Sequence, residues 1–257
     1  MAVELSFVET GSGPPLVILH GLFGSKRNWA SVARLLSRRH RVVAVDLRNH
    51  GDSPWHARHD YPAIAEDVAE VIRRVTGGAA AVIGHSMGGK AAMLLALEYP
   101  ALVDRLVVVD IAPAISRGTS IDVLHAMRAV PLATCSRRTD VATALESRIP
   151  DPGIRAFLAQ SVTVGPDGLA WSVNLDAIER HFDAIRDFPD IPPGRTYEGP
   201  VLFITGGRSV YVEPQHWPDI KRLFPGASRD IFEDAGHWVH ADAPARFVET
   251  VDRFLKV

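Results

Sequence analysis

The stretch Val82-Ile83-Gly84-His85-Ser86-Met87-Gly88-Gly89 is the part of the sequence that indicates the fold and the chemistry most directly. A short apolar run ends at Ile83, and a helical pattern rich in alanine and leucine follows the glycines and stops before Pro100. Strand, sharp turn and helix form the context in which a G-x-S-x-G pattern presents a nucleophilic serine. Glycines on either side of that serine let strand and helix approach closely, because they have no Cβ. The pattern therefore predicts that Ser86 is a nucleophile.

Apolar runs and amphipathic helical stretches alternate on both sides of this turn. Continuous apolar runs predict strands covered on both faces at 16–19, 41–46, 106–109 and 201–205. Val3 to Glu9 alternates apolar and polar residues, as a half-buried antiparallel strand does. Helical stripes lie between the runs, for example over 62–75. The alternation predicts an α/β fold with a mostly parallel central sheet and helices on both faces.

The alternation stops after Pro113. Residues 114–196 contain several helical stretches but no continuous apolar run, and they end in a proline-rich segment, Phe188 to Pro193. Such an interruption predicts a helical cap inserted into a core formed by residues 1–113 and 197–257. Three aromatic side chains of the insertion, Trp171, Phe182 and Phe188, are candidates to line a substrate pocket, although a role in the apolar core explains them equally well.

Composition limits the classes of function. The 257 residues carry a formal net charge of −2, so no basic excess is available to hold a nucleic acid. The single cysteine, Cys135, excludes an internal disulfide framework and fits a reducing compartment. The first residues have no pattern typical of a secretion signal, and no apolar window is long enough for a membrane span. We expect a cytoplasmic protein; the composition does not predict its oligomeric state.

A serine hydroxyl needs a base within hydrogen-bond reach, and that base needs a carboxylate to fix its tautomer and stabilise its charge. Ser86, Asp110 and His237 follow one another in the order nucleophile, acid, base, and each comes directly after a predicted strand. Because ligands bind at the carboxyl ends of parallel strands, the three side chains are expected to form a catalytic triad there. Glu213, in the loop after Thr205, is the alternative acid, and Asp110 could instead satisfy backbone amides.

The chain has 11 histidines, so the choice of His237 needs support from its surroundings. Gly236 permits a tight turn after the preceding strand, which lets the imidazole point back over the sheet edge. His240 is interpreted as structural or solvent-exposed, His20 as a loop-packing side chain, and His85 as the side chain beside the turn of Ser86. The remaining histidines are expected to lie on the surface. No spacing resembles a metal-binding triad, and neither a metal nor another cofactor is predicted.

Acyl transfer requires hydrogen-bond donors aimed at the oxyanion of the tetrahedral intermediate. The backbone N–H of Met87, the residue after the nucleophile, is one candidate donor. The second is expected in the glycine-bearing loop after the strand at 16–19, from Leu22 first and Phe23 second. Together with Trp238, these side chains would also give the site an apolar lining, unless they are simply part of the core.

The motifs resemble those of the α/β-hydrolase superfamily. The matching segments are His20 to Gly24, Gly84 to Gly89 and Gly236-His237. More narrowly, Asp46 to Pro54, Gly84 to Lys90, Val109 to Pro113 and Gly236 to His240 look like the YbfF-type esterases, small bacterial carboxylesterases with a helical cap.

The resemblance has consequences for the fold, the acid and the activity. It implies the α/β-hydrolase fold, with the acid role at Asp110, because many members carry the acid after a later strand where this chain has Ser209. It also implies a serine hydrolase that cleaves small carboxylic esters or thioesters. Other chemistry on the same fold (carbon–carbon bond hydrolysis, a lyase step or perhydrolysis) remains open, as does a small-molecule receptor.

Overall fold

A computed structural model describes residues 2–118, 120–166 and 168–256 of the chain. In these ranges the strands are β1 (Phe7–Thr10), β2 (Pro15–Leu19), β3 (Arg41–Val45), β4 (Ala80–His85), β5 (Val103–Val109), β6 (Val162–Gly165), β7 (Gly168–Trp171), β8 (Val201–Gly206) and β9 (Ala227–Phe232). The helices are α1 (Ala30–Leu36), α2 (Tyr61–Thr76), α3 (Met87–Glu98), α4 (Ile121–Arg128), α5 (Arg138–Ala144), α6 (Pro152–Ala159), α7 (Leu175–Arg180), α8 (Phe182–Arg186), α9 (Trp217–Leu223), α10 (Val239–Asp242) and α11 (Pro244–Leu255). Short 3₁₀ helices lie at Lys26–Trp29, Pro100–Leu102, Leu132–Thr134 and Pro214–His216.

Seven strands form one sheet in the order β1-β3-β2-β4-β5-β8-β9. Only the edge strand β1 runs antiparallel to its neighbour, and the other pairs are parallel. Strands β2, β4 and β8 are almost entirely buried, as continuous apolar runs covered by helices on both faces must be. The predicted fold class is confirmed. The strand that leads to Ser86 lies at the centre of the sheet.

The first strand is shorter than its alternating sequence predicts. The N–H of Val3 donates to Asp67 in α2 at 2.7 Å, and the N–H of Ser6 donates to the Ser53 hydroxyl at 2.8 Å. The N–H of Asp46 still donates to the carbonyl of Ser6 at 2.9 Å, but regular pairing with β3 begins at Phe7, which lies opposite Val45. The prediction of a strand from Val3 was wrong at its start.

The segment 114–196 contains α4 to α8, as predicted, but it also contains the antiparallel hairpin β6–β7. The hairpin was not among the elements that the sequence predicted for the helical cap. In β7 the exposed residues Gly168 and Ala170 alternate with the half-buried residues Leu169 and Trp171, so this strand has a short half-buried alternation and no continuous apolar run. The segment has an apolar cluster separate from those on the two sheet faces, and Phe23 of the core inserts into it. The exact cap boundaries stay a prediction.

Lys90 of α3 holds the end of this segment against the sheet. Its side chain is 1% exposed, and its Nζ donates to the carbonyls of Arg186 at 2.7 Å and Asp187 at 2.9 Å, at the end of α8. Burial lowers the pKa of Lys90 to about 7. A neutral amine still has two N–H donors, one for each carbonyl.

The pH dependence of stability tests this arrangement. Between pH 7 and an unfolded-state pKa of about 10.4, the unfolded chain binds a proton at Lys90 that the folded chain does not, so stability rises with pH. The difference in the free energy of unfolding between the wild type and Lys90→Met should therefore rise with pH in this window. The expected slope is up to about 1.4 kcal/mol per pH unit. Urea unfolding at a series of pH values measures the difference, with Lys256→Met as the exposed-lysine control. A difference independent of pH would contradict the prediction.

Candidate active site

Ser86 lies on a strained turn between β4 and α3. Its φ is 53° and its ψ is −119°, a backbone conformation that non-glycine residues rarely adopt. Holding a residue in such a conformation costs about 1–3 kcal/mol. Its N–H donates to the carbonyl of Val109 at 3.1 Å, so the neighbouring strand holds the turn. A Cβ on Gly84 would collide with the backbone of Gly88, and a Cβ on Gly88 would lie 2.5 Å from the carbonyl oxygen of His20. Both flanking glycines are therefore sterically required.

Asp110 follows the end of β5 and is completely buried. Its Oδ1 accepts a hydrogen bond from the N–H of Gly206 at 2.9 Å, and its Oδ2 accepts one from the hydroxyl of Ser209. The same Oδ2 lies 2.7 Å from Nδ1 of His237. A buried carboxylate is costly unless it is hydrogen-bonded, and three donors converge on this one. Asp110 therefore satisfies a backbone amide, as the alternative interpretation held, and also contacts His237.

His237 lies in the loop after β9 and is held from several sides. Because the Asp110 carboxylate can only accept, Nδ1 of His237 donates to it, and in the neutral ring Nε2 is then the nitrogen with the lone pair. The imidazole ring of His237 stacks on the ring of Tyr211 at a centroid distance of 3.8 Å. The backbone carbonyl oxygen of His237 lies 2.9 Å from Nε2 of His85. Since His85 directly precedes Ser86, these contacts bring His237 beside the strained turn.

Glu213, the alternative acid, lies in a different setting. Its carboxylate accepts a hydrogen bond from Gln215 at 2.8 Å, and its N–H donates to Nδ1 of His216 at 3.0 Å. Both partners belong to the turn that Glu213 itself begins. Asp110 is the carboxylate hydrogen-bonded to His237, and Ser209, after the later strand, bonds to that same carboxylate.

The loop after β2 packs its backbone against the strained turn. A Cβ on Gly21 would lie only 3.2 Å from the Cβ of Ser86. Phe23 has a φ of 62°, and its N–H donates to Nε2 of His50 at 3.2 Å. The N–H of Phe23 is thus already hydrogen-bonded, which favours the N–H of Leu22 as the second oxyanion donor. Met87 is the first residue of α3, so its N–H has no acceptor within the helix.

Several histidines that were expected on the surface are buried. His50 and His59 are completely buried, and His40 is 7% exposed, so that part of the prediction was wrong. Burial lowers the pKa of His59 well below its usual value. His240 is also buried and stacks on Trp29 at 4.0 Å, so it is structural and not solvent-exposed; burial lowers its pKa to about 3. For His50, the adjacent Gly51 was a sequence signal that could have indicated burial.

The four predicted pocket aromatics lie in different surroundings. Trp238 is next to the site, with its ring 5.6 Å from that of His237 and 5.6 Å from that of Phe157 in α6. Trp171 packs against the apolar cluster of the 114–196 segment. Phe182 is buried, and Phe188 packs against the main core. Sequence reasoning missed Phe157, Tyr211 and the contact of Ser209 with Asp110, because each depends on packing between distant segments.

Two further features of the described residues bear on function. None of the helices in the described ranges is long and apolar enough to cross a membrane. Among the same residues, no group of three or more His, Cys, Asp or Glu side chains is arranged to hold a metal ion.

Known proteins resemble this chain over nearly its whole length. A family model described as "Alpha/beta hydrolase family" matches residues 16–250. The "sn-1-specific diacylglycerol lipase ABHD11" of Mus musculus is 42% identical over 252 residues, covering 94% of this chain and 81% of that protein. "Esterase YbfF" of Escherichia coli is 35% identical over 242 residues, covering 94% of this chain and 92% of that protein. A solved structure named "Marine microorganism esterase" has a TM-score of 0.94 and 35% identity, covering 98% of this chain and 100% of that one.

A mostly parallel sheet whose central strand ends at a serine on a strained turn defines the α/β-hydrolase class of proteins. The chain belongs to the alpha/beta hydrolase family, since the family model spans most of it and relatives above 30% identity span nearly all of it. The predicted similarity to the YbfF-type esterases is confirmed.

Proposed function

We propose that the chain is a serine hydrolase that cleaves carboxylic esters through an acyl-enzyme, with Ser86 as nucleophile, His237 as base and Asp110 as the acid. The observation that carries the proposal is the 2.7 Å hydrogen bond between His237 Nδ1 and the buried Asp110 carboxylate, beside the strained turn of Ser86. Ester cleavage agrees with the names of the ABHD11 and YbfF relatives.

The proposed mechanism proceeds in two halves. Nε2 of His237 takes the Ser86 proton while Oγ attacks the ester carbonyl, and Asp110 stabilises the imidazolium that forms. The tetrahedral intermediate collapses to an acyl-serine, and His237 gives its proton to the departing alcohol. Water then attacks the acyl-serine while Nε2 of His237 takes a proton from the water. As the second intermediate collapses and releases the acid, His237 returns this proton to Oγ of Ser86.

The oxyanion of both intermediates needs preorganised donors. We assign this role to the N–H groups of Met87 and Leu22. Two facts support the choice: Met87 begins α3, where the helix leaves its first amides without partners, and the Phe23 N–H is taken by His50. The earlier alternative, Phe23, is therefore set aside in favour of Leu22.

The substrate class follows from the surfaces near His237. The rings of Trp238 and Phe157 and the half-buried side chain of Leu22 offer an apolar lining for an acyl chain. The diacylglycerol specificity in the name of ABHD11 suggests that esters of glycerol belong in the set to be tried. Action on thioesters and a cytoplasmic location remain predictions.

A panel of substrates tests the proposal. The wild type is assayed with 4-nitrophenyl esters from acetyl to lauroyl, the matching acyl thioesters and a diacylglycerol. We expect multiple turnovers of several esters, a burst of nitrophenol equal to the enzyme concentration, and a fluorophosphonate adduct on the peptide that contains Ser86. Absence of turnover across the panel would overturn the proposal. One slow turnover with a ligand-dependent shift in melting temperature would favour a receptor instead.

A further inference from the structure

The backbone of Phe23 is held at both of its polar groups. Its N–H donates to Nε2 of His50 at 3.2 Å, and its carbonyl accepts a hydrogen bond from the hydroxyl of Ser161. Phe23 is 5% exposed and has a positive φ of 62°, which is unfavourable for a bulky residue without compensating contacts. These two hydrogen bonds therefore help to keep the residue after Leu22 in an unusual conformation.

His50 is a well-defined acceptor for that amide. Its Nδ1 lies 3.0 Å from the carbonyl of Arg48, which can only accept, so Nδ1 carries the proton and Nε2 is left as an acceptor. The ring is completely buried. Burial, with a contribution from nearby His20, lowers the pKa of His50 to about 3. His50 therefore stays neutral, and its hydrogen bond to Phe23 persists, from weakly acidic to alkaline pH.

The same loop also binds the 114–196 segment. His50 forms an isolated antiparallel bridge with Val173, and the N–H of Asn174 donates to the carbonyl of Asn49 at 2.9 Å. The side-chain amide of Asn174 donates to Oδ1 of Asn49 at 3.0 Å. Ser161, the other partner of Phe23, belongs to that segment as well. Phe23 is thus fixed between the loop that carries His50 and the segment docked on it.

We propose that His50 is a positioning residue for ester hydrolysis: by accepting the Phe23 N–H, it fixes the loop so that the adjacent Leu22 N–H points at the oxyanion. This inference rests on the proposed function. Loss of one oxyanion donor costs about 10²–10³ in kcat, and a donor that is misdirected but present should cost less. His50 acts through backbone geometry, and it touches neither substrate nor nucleophile.

The test compares His50→Leu, which removes the acceptor, with His50→Gln, whose amide oxygen can replace Nε2. The matched control is His59→Gln. His59 is as buried as His50, and the two rings lie 5.4 Å apart. Its Nδ1, however, lies 3.3 Å from the side-chain amide nitrogen of Asn49, not next to the N–H of Phe23. For each variant, kcat and KM for 4-nitrophenyl butyrate are measured, with the Ki of 1,1,1-trifluoropentan-2-one, whose hemiketal imitates the charged intermediate. Melting temperatures report changes in stability.

We expect His50→Leu to lower kcat by about tenfold to a hundredfold with KM within about twofold, and to weaken trifluoroketone binding by a similar factor. His50→Gln should recover most of both losses, and His59→Gln should alter neither kcat nor Ki, whatever its melting temperature. Unchanged kcat and Ki in a folded His50→Leu would overturn the inference, as would equal losses in His59→Gln. If the wild type itself neither turns over the ester nor binds the ketone, the proposed function has failed instead.

Discussion

Replacing Ser86 with alanine is expected to lower the kcat for 4-nitrophenyl esters by about 10⁵–10⁶-fold, because the hydroxyl that forms the proposed acyl-enzyme is removed. The variant should also lose all labelling by a fluorophosphonate. Binding should persist, since the apolar surfaces around Trp238 are unchanged. Steady-state rates at saturating ester, with intact-protein mass spectrometry after labelling, measure both effects.

A buried serine elsewhere provides the control for Ser86. Ser116 is 6% exposed, and its N–H donates to the carbonyl of Arg186 at the end of α8. Ser116→Ala should retain turnover and labelling within about twofold, as substitutions outside an active site usually do. A Ser86→Ala preparation that still turns over ester at more than about a hundredth of the wild-type rate, or still takes up the label, would refute the assignment of the nucleophile.

Replacing Asp110 with asparagine is expected to lower kcat by about 10⁴-fold. An amide nitrogen facing Nδ1 of His237 favours the tautomer that carries its proton on Nε2, and this tautomer cannot take a proton from Ser86. Glu213→Gln, the matched change at the alternative acid, should leave kcat within about twofold because Glu213 bonds only within its own turn in the contacts described above. Rates of both variants on one ester give the comparison. A crippled Glu213 variant beside an active Asp110 variant would reverse the assignment.

The position of Ser209 allows a stricter test of the acid. Its hydroxyl bonds to the Asp110 oxygen that faces His237, so a carboxylate at 209 would lie at the same end of the imidazole. The double variant Asp110→Asn with Ser209→Asp should therefore recover about tenfold or more of the activity that Asp110→Asn loses. If the double variant is folded, by its melting temperature, and no more active than the single one, orientation of His237 by a carboxylate is not what Asp110 supplies.

Much of the site could be predicted from the amino-acid sequence because its signals are local. The flanking glycines of Ser86 are sterically required by atoms within a few residues or on the adjacent strand. The periodicity of apolar residues predicted the parallel sheet, since burial on both faces dictates continuous apolar runs. The order of Ser86, Asp110 and His237 along the chain then identified the two side chains that the structure brings together.

Other features depended on which distant segments pack against each other, and only the tertiary structure decided them. Asp110 and Glu213 both follow strands along the chain. In the folded chain Asp110 is hydrogen-bonded to His237, whereas Glu213 bonds within its own turn. The burial of His50 and the loss of Phe23 as a candidate donor arise from contacts across 27 positions of sequence. Of the hairpin β6–β7, only β7 has a short alternation of exposed and half-buried residues, which is a weak signal in the sequence. Sequence by itself determined the sheet, the strained serine and a short choice of acid and base partners for it, because these follow from local sterics and periodic burial. Tertiary packing selected among those partners, because hydrogen bonds between distant segments exist only once the chain has folded.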